Sequence, residues 1–257
     1  MDTVSYRLDG PVAVVTIHRP GQRNAVDGAS ARALYEAFKR FDADAAASVA
    51  VLTGEGGHFC AGADLKGVAS GHGNPVEREG DLGPMGPTRL QLSKPVIAAV
   101  EGYAVAGGIE LACWCDLRVA AKSATFGVFC RRFGVPLIDL GTVRLPRLIG
   151  ASRAMDLILT GRPVGAEEAL AMGLANRVVP DGQALSAAIE LARQIAAFPQ
   201  GCLRSDRRSA LEQWSLSWDE ATAREIELGI ETLRSGEALQ GAARFTGGEG
   251  RGGAFPK

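Results

Sequence analysis

The segment at 94–120 reads KPVIAAVEGYAVAGGIELACWCDLRVA and is the most informative part of the chain about its fold. Its continuous apolar run at 96–100 predicts a buried strand, because a strand that is covered on both faces lacks polar alternation. The run at 107–114, which begins with a Gly-Gly pair, predicts a short buried helix, and 117–120 predicts another strand. A strand, a glycine turn, a helix and a second strand in direct succession are typical of an α/β core.

The rest of the chain extends this pattern and then changes character. Further strands are predicted at 4–8, 12–18 and 49–53, and helices at 30–41, 141–150, 151–160, 184–197, 201–214 and 218–233. Strands and helices alternate in the first part of the chain, whereas the pattern beyond Gly165 is mostly helical. We therefore expect an α/β core followed by a helical C-terminal part.

Length and composition narrow the class of protein. With 257 residues, the chain is long enough for one α/β folding unit with a large core. Lys and Arg number 28 against 29 Asp and Glu, a net charge of -1, which does not favour a nucleic-acid partner. Charged residues interrupt the long apolar runs before about 18 residues, the length that would indicate a membrane span. The first ten residues carry no apolar signal core, so we expect a soluble, cytoplasmic protein.

The cysteines and histidines form no metal signature in the sequence. Five cysteines are an odd number and contain no C-x-x-C pair, which favours reduced thiols over a disulfide framework. The three histidines lie far from any cysteine pair with ligand spacing, so no metal site is predicted. Residues 248–253 spell G-x-G-x-x-G, but they follow no predicted strand and open no predicted helix, which argues against a nucleotide-binding turn.

Residues 67–87 are rich in Gly and Pro, with scattered charge and little periodicity. Long loops inside compact domains are often functional lids, so we interpret this segment as a long mobile loop. His58 and His72, which lie in or beside it, are interpreted as surface histidines.

Two turns rich in small residues each lead from a predicted strand into a predicted helix. The first contains residues 61–64, AGAD, and the second contains the Gly-Gly pair at 107–108. Each offers backbone N–H groups at the positive end of a helix dipole, where an anionic oxygen binds readily. Either turn alone is explained by chain reversal and tight packing. Two such donors that converge would form an oxyanion hole.

Glu110 lies three residues after Gly107, inside an otherwise apolar run. It either turns to solvent on an ordinary helix or is buried because a reaction requires a carboxylate there. A buried Glu110 would have a raised pKa suited to acid–base chemistry beside a bound carbonyl group. The spacing alone leaves both interpretations open.

These segments resemble those of the crotonase, or enoyl-CoA hydratase/isomerase, superfamily. The resemblance covers nearly the whole chain and includes RPGQRNAV at 19–26, VLTGEGGHFCAGADL at 51–65, the segment at 94–120, ATFG at 124–127 and LIGASRAMDLILTGRPVGAEEALAMGLANRVV at 148–179. It implies a spiral of repeated ββα units at 1–195 and a helical part at 196–257 that takes part in trimerisation. A homotrimer or a dimer of trimers is therefore expected, with Trp214 and Trp218 packing the C-terminal helices against the core or a neighbouring subunit.

The resemblance also implies that the substrate is an acyl-CoA thioester, with coenzyme A as part of the substrate rather than a separate cofactor. The N–H groups of Ala63 and Gly107 would polarise the thioester carbonyl, and Glu110 would act as general acid or base. The coenzyme A site would be formed by the AGADL segment and the loop at 23–25, which supply Arg23, Ala25, Ala61, Asp64 and Leu65.

The chain departs from the family pattern where hydratases carry a second catalytic glutamate. That glutamate belongs to an F-G-x-P-E segment, which here reads FGVFC at 126–130, so Cys130 replaces the acid. A thiol in apolar surroundings titrates at about 8.5 or higher and does not copy a carboxylic acid. Two smaller departures flank the second donor turn: Glu101 replaces the usual asparagine, and Ala106 replaces the first of three glycines.

Asp139 is another acid in a suggestive position, since some relatives carry a functional aspartate there. Asp139 suits equally well the role of a cap for the helix predicted at 141–150, because Asp is favoured just before a helix. Arg131 and Arg132 would either pair with Asp139 or Glu110 or face solvent.

The sequence thus predicts an enoyl-CoA hydratase-like enzyme with Ala63 and Gly107 as oxyanion donors. Glu110 would be the acid or base, with Asp139 as a candidate assistant. Two alternatives stay open. One is an acyl-CoA-binding protein with weak or no hydratase activity, and the other is an acyl-CoA isomerase or hydrolase that uses Glu110 and Asp139.

Overall fold

The computed structural model describes residues 2–71 and 73–253. Within them the chain forms nine strands: β1 (Val4–Asp9), β2 (Val12–Ile17), β3 (Val49–Gly54), β4 (Val96–Val100), β5 (Tyr103–Val105), β6 (Leu117–Ala121), β7 (Thr125–Gly127), β8 (Val164–Gly165) and β9 (Arg177–Val179). The same residues form ten α-helices: α1 (Gly28–Ala43), α2 (Leu65–Ala69), α3 (Gly107–Trp114), α4 (Gly141–Ile149), α5 (Ala151–Thr160), α6 (Ala166–Ala171), α7 (Ala184–Ala196), α8 (Gln200–Glu212), α9 (Trp218–Arg234) and α10 (Glu237–Thr246). His72, predicted to be a surface histidine, lies outside the described residues.

Two sheets organise the core. Six strands form a large sheet in the order β1-β2-β3-β4-β6-β9, and three short strands form a small sheet in the order β5-β7-β8. The β1–β2 hairpin is antiparallel, and the remaining pairs of the large sheet are parallel. The chain passes from β4 in the large sheet to β5 in the small sheet and then into α3, and it repeats this path from β6 through β7 to α4. This repetition confirms the predicted crotonase-like spiral of ββα units.

The large sheet is covered on both faces. Alternate residues of β2 point to opposite sides: Ala13, Val15 and Ile17 join the cluster that includes side chains of α1 and α3, whereas Val12 and Val14 join the cluster under α7. The same double burial applies to β3 and β4. It explains why both strands have continuous apolar sequences rather than alternating ones.

The predicted strands and helices are present, with ends that differ by a few residues. The short strands β5, β7, β8 and β9 and the helix α10 were not predicted from the sequence, whereas α2 begins after the turn at 61–64, where a helix was predicted. A strand of two or three residues is too short to show a period, and it forms only because the spiral places a partner strand beside it. The glycine at position 241 interrupts the helical pattern of α10.

The segment at 67–87 divides into two parts. α2 covers its beginning, and residues 73–81 are mostly exposed. Residues 83–88 are buried, with Met85 1% and Thr88 0% exposed. The prediction of a mobile lid is therefore wrong for the end of this segment, which is a packed part of the core.

The C-terminal helices pack in two different ways. α7 lies on the large sheet, whereas α8, α9 and α10 pack mainly on one another. Arg207 of α8 joins this group to the core through an ion pair with Asp116 at 2.9 Å. The guanidinium of Arg147 lies 5.0 Å from the centre of the Trp214 ring, whereas Trp218 is 85% exposed in a single chain. A cavity of about 1010 Å³ separates α3 and α4 from α8 and α9.

Candidate active site

Glu110 lies in the first turn of α3 and is only 2% exposed. Its Oε1 accepts hydrogen bonds from the backbone N–H groups of Asp139, at 3.0 Å, and Gly141, at 2.8 Å. Gly141 is the first residue of α4, so the carboxylate of Glu110 satisfies an otherwise unpaired donor of that helix. A Cβ at position 141 would lie 2.7 Å from Oε1, so only glycine admits the carboxylate at this distance. Glu110 is therefore buried and held in place from outside its own helix.

This environment raises the pKa of Glu110 to about 8. Burial is the largest cause, and the nearby carboxylate of Asp139 adds to it because like charges disfavour ionisation. The N–H groups of Gly141 and Asp139, and the charge of Arg144, act in the opposite direction. A carboxyl group with this pKa can both accept and release a proton near neutral pH, as general acid–base chemistry requires.

The two glycine-containing turns meet at Gly62. Its φ of +95° is a conformation that favours glycine, and a Cβ there would lie 2.8 Å from the backbone nitrogen of Gly107. Among the described residues, the N–H groups of Ala63 and Gly107 have no hydrogen-bond acceptor. The turns therefore bring two unpaired donors together near Glu110, and such a pair can bind an oxygen that gains negative charge.

Glu101 and Ala106, the two residues beside the second turn that depart from the family pattern, have different structural roles. Ala106 has φ +53° and ψ -125°, which is strained for a residue with a Cβ. Its N–H donates to the carbonyl of Gly127 at 2.9 Å. Glu101 accepts a hydrogen bond from the N–H of Ala184 at 2.9 Å and so satisfies the first turn of α7. Glu101 thus stabilises a distant helix, whereas Ala106 lies in the donor turn itself.

Asp139 does not cap α4, which corrects one of the two interpretations of this residue. The cap residue is Leu140, and it makes no side-chain hydrogen bond to the helix. The Oδ1 of Asp139 instead accepts from the N–H of Met85, at 2.9 Å, and from the hydroxyl of Thr88. Burial raises the pKa of Asp139, against the lowering effect of the two hydrogen bonds. The side chain therefore faces the buried segment at 83–88 rather than the helix.

Known proteins are similar to this chain along most of its length. The family model described as Enoyl-CoA hydratase/isomerase matches residues 7–247. The chain belongs to this family. The enoyl-CoA hydratase EchA19 of Mycobacterium tuberculosis is 39% identical over 240 residues, which are 92% of this chain and 90% of the relative. A carnitinyl-CoA dehydratase of Salmonella typhi is 40% identical over 199 residues, which are 76% of this chain and 74% of the relative.

Solved structures show the same relationship for this member of the enoyl-CoA hydratase/isomerase family. The crystal structure of enoyl-CoA hydratase EchA1 from Mycobacterium marinum superposes with a TM-score of 0.90 at 40% identity and covers 96% of each chain. A probable enoyl-CoA hydratase/isomerase from Mycobacterium abscessus superposes with a TM-score of 0.87 at 41% identity, again covering 96% of each chain. The crotonase fold inferred from the sequence is thus confirmed.

In this family member, Cys130 is buried close enough to Glu110 for their charges to interact. Burial raises the pKa of the Cys130 thiol, and the charge of Glu110 raises it further. The thiol therefore remains protonated near neutral pH. A neutral thiol is a weak hydrogen-bond donor, so Cys130 does not reproduce a carboxylic acid at this position.

Arg144 is a component of the site that sequence analysis missed. It donates to the carbonyl of Asp139 at 3.1 Å and to the carbonyl of Thr88 at 2.8 Å. Arg131 and Arg132, the arginines considered from the sequence, instead donate to carbonyl groups at positions 158 and 161. They therefore pair with neither acid. The sequence marks Arg144 only as one basic residue of an amphipathic helix, and its contacts depend on the position of Thr88.

Sequence analysis named five residues for the coenzyme A site: Arg23, Ala25, Ala61, Asp64 and Leu65. The N–H of Ala61 donates to the carbonyl of Arg23 at 3.0 Å. Arg19 donates to the carbonyl of Ala25 and pairs with Asp64 at 2.9 Å. The loop at 19–26 and the AGADL segment are therefore joined into one wall, and Leu65 is 40% exposed on it. Arg19 was not singled out, although it begins the RPGQRNAV motif.

Two further properties apply to residues 2–71 and 73–253. None of their helices combines the length and the apolar character needed to cross a membrane. Their His, Cys, Asp and Glu side chains form no group of three that could hold a metal ion.

Proposed function

We propose that this protein adds water across the double bond of an enoyl-CoA thioester. The observation that carries the proposal is the buried, doubly anchored carboxylate of Glu110 beside the unpaired N–H groups of Ala63 and Gly107. The names of the relatives, enoyl-CoA hydratase and carnitinyl-CoA dehydratase, support the same chemistry.

The N–H groups of Ala63 and Gly107 would bind the thioester oxygen as an oxyanion hole. When water attacks the β carbon, the thioester becomes an enolate and its oxygen gains negative charge. Donors that already point at this oxygen stabilise the charge without rearrangement, and the loss of one such donor typically lowers a rate by about 10² to 10³.

Glu110 would carry the proton in both directions, because Cys130 occupies the position of the second acid. As the oxygen of water bonds to the β carbon, one of its protons passes to Glu110. The protonated carboxyl group then delivers a proton to the α carbon, which regenerates the carboxylate. The raised pKa of Glu110 suits this double role, since both protonation states are accessible near neutral pH.

The wall formed by the loop at 19–26 and the AGADL segment would hold the coenzyme A part of the substrate. No separate cofactor is then required, because the thioester supplies the electron-withdrawing carbonyl. We further infer a cytoplasmic homotrimer or dimer of trimers. The five free thiols support a reducing compartment, and the exposed apolar side chains of α9 and α10 support self-association.

Acyl-CoA binding with little turnover is the second candidate, and Cys130 is the observation that favours it. Without a second acid, the hydration of a simple enoyl-CoA depends on one carboxyl group. If that group cannot reach both carbons, the pocket would hold the thioester without converting it.

The deciding experiment is incubation of the purified protein with crotonyl-CoA and with a longer enoyl-CoA. Loss of the conjugated enoyl absorbance reports turnover, product mass identifies the addition of water, and calorimetry measures binding. We expect hydration that is lost, by at least about 10²-fold, in Glu110→Gln while binding is retained. Full turnover in Glu110→Gln would exclude Glu110 from the mechanism. Binding by the wild type with no product for either thioester would favour the second candidate.

A further inference from the structure

Asp139 occupies a junction between the two halves of the proposed site. Its carboxylate accepts hydrogen bonds from Met85 and Thr88, while its own N–H donates to Glu110. Met85 and Thr88 lie 54 and 51 residues from Asp139 in the chain, and Glu110 lies 29 residues away. One residue thus connects the buried segment at 83–88 to the carboxylate of Glu110.

We propose that Asp139 is a positioning residue for both the oxyanion donor at Gly107 and the carboxylate of Glu110, and that it does not touch the substrate. Its carboxylate holds the segment at 83–88 against Gly107, and its backbone holds Glu110. The inference deepens the proposed function, since it assigns how one site is assembled.

The surroundings of its carboxylate support this role over that of a second catalytic acid. Oδ1 already receives two donors, and Asp139 is only 2% exposed. A Cβ added at Gly83 would lie 2.9 Å from Oδ1, so the backbone of the buried segment covers this oxygen closely. An acid that serves the substrate needs an accessible proton, whereas the Oδ1 of this carboxylate is occupied by two donors of the protein itself.

The link from Asp139 to the donor turn runs through Met85. The Met85 side chain lies against Gly107: a Cβ built at position 107 would be 2.6 Å from the methionine sulfur. The N–H of Met85 is the group that Asp139 accepts from, so the carboxylate fixes the backbone that carries this side chain. Movement of Met85 would alter the packing around the Gly107 N–H.

Arg144 closes the same junction from α4. It donates to the backbone carbonyl groups of Asp139 and Thr88. The two residues joined by the hydroxyl–carboxylate hydrogen bond are therefore also linked through their backbones. A cation donating to both carbonyl groups stabilises the junction and offsets part of the negative charge on Asp139.

The charged and titratable groups around Glu110 come from four elements. They are Asp139 before α4, Arg144 on α4, Cys113 on α3 and Cys130 in the short turn after β7. Both thiols are buried and have raised pKa values, and Arg144 is held by two carbonyl groups. Asp139 is therefore the negative charge whose removal should change the titration of Glu110.

The first test measures the titration midpoint of the Glu110 carboxyl group directly and needs no turnover. Carbon-13 NMR of glutamate-labelled protein, with Glu110→Gln to assign the signal, gives the titration midpoint of Glu110. We expect Asp139→Asn to lower this midpoint by about one unit, because the amide retains an acceptor oxygen but lacks the charge. An unchanged midpoint would contradict the coupling.

The second test compares two substitutions of Thr88. Thr88→Val removes the hydroxyl that Asp139 accepts, whereas Thr88→Ser retains it. We expect the valine variant to shift the amide signal of Gly107 in nitrogen-15 spectra and to lower kcat about tenfold with little change in KM. The serine variant should restore both. Identical Gly107 signals and kcat in wild type and Thr88→Val would overturn the positioning role.

Turnover of the Asp139 variants separates the two roles of this residue. If Asp139 is a positioning residue, Asp139→Asn should keep kcat within about tenfold of wild type. Asp139→Ala should lower kcat further, because the acceptor oxygen is gone. A catalytic acid predicts that both variants lose turnover equally, and this result would overturn the proposal. If the wild type hydrates no enoyl-CoA, the proposed function fails, while the two NMR readouts still decide the role of Asp139.

Discussion

The Glu110 carboxylate has two roles. It stabilises the fold, and because it is buried its pKa lies well above that of an exposed glutamate. Its Oε1 supplies the acceptor for the first N–H of α4, which is a structural role that any carboxylate or amide oxygen could fill. Its burial beside Asp139 favours the protonated form, which is a chemical role that only a titrating group can fill. A substitution that preserves the first role and removes the second therefore separates stability from activity.

Glu110→Gln should flatten the dependence of stability on pH. The folded-state pKa is raised from an ordinary 4.5 to about 8, so the folded protein binds this proton more tightly than the unfolded chain does. The contribution of Glu110 to the free energy of unfolding should consequently be greatest below pH 4.5 and fall as pH rises towards 8. In the variant this fall should shrink, with a gain of about 1–3 kcal/mol over wild type at pH 8 in urea denaturation. Glu36→Gln, exposed on α1, is the control, and an equal change there would exclude the assignment to Glu110.

Ala106 carries backbone strain within the donor turn. Its φ of +53° with ψ of -125° costs a residue with a Cβ about 1–3 kcal/mol. Ala106→Gly removes this strain but adds about 0.5–1 kcal/mol of entropy to the unfolded chain. We expect a net increase of about 1 kcal/mol in the free energy of unfolding, measured by thermal and urea denaturation. Ala104→Gly, in strand β5 two residues earlier, should be destabilising, and a loss of stability in both variants would show that Ala106 is unstrained.

Among the helices, α3 and α4 are joined where Glu110 of α3 reaches Gly141, the first residue of α4. The first residue of α4 is Gly141, and a Cβ there would meet the Oε1 of Glu110 at 2.7 Å and its Cγ at 2.9 Å. The two helices can therefore share a carboxylate only while this position lacks a side chain. The absence of one methyl group determines where the proposed acid–base group lies.

Gly141→Ala should lower kcat by about 10- to 100-fold, because the carboxylate must move away from its two N–H donors. We expect binding of acyl-CoA to change much less, since the atoms nearest to the new methyl group all belong to Glu110. The measurement is steady-state kinetics together with calorimetric binding. Gly229→Ala, in α9 with no atom within 4 Å of the added Cβ, should keep wild-type kinetics. Wild-type kcat in Gly141→Ala would show that the contact is not required.

At the scale of the whole molecule, the C-terminal helices leave much apolar surface uncovered in a single chain. Seven large apolar side chains on α8–α10 and on the turn between α8 and α9 are more than half exposed: Leu211, Trp214, Trp218, Ile226, Leu233, Leu239 and Phe245. Exposed apolar surface of this extent is typical of an interface between subunits. A cavity of about 1010 Å³ lies between α8 and α9 and the core helices α3 and α4.

Trp218→Glu should dissociate the oligomer that we propose, since a charge buried at an interface without a partner is strongly unfavourable. Sedimentation velocity should give about three or six times the 26.8 kDa chain mass for wild type and a smaller species for the variant. Val76→Glu, which replaces a side chain that is 59% exposed outside these helices, should sediment like wild type. A wild-type protein that sediments as a single chain would contradict the proposal.

Those parts of the protein that depend on neighbouring residues could be predicted from the sequence. Apolar runs predicted β3, β4 and α3, and contiguous motifs located Glu110 and the two turns at Gly62 and Gly107. The roles of Glu110 in stabilising α4, of Asp139 in facing Thr88 and of Arg144 in joining these two residues became visible in the folded chain alone. The contact of Arg144 with Asp139 joins residues five positions apart, and the other contacts join residues separated by 31 to 56 positions. They exist because the spiral stacks one ββα unit on the next, and a local pattern of hydrophobicity carries no record of which residues that stacking will bring together.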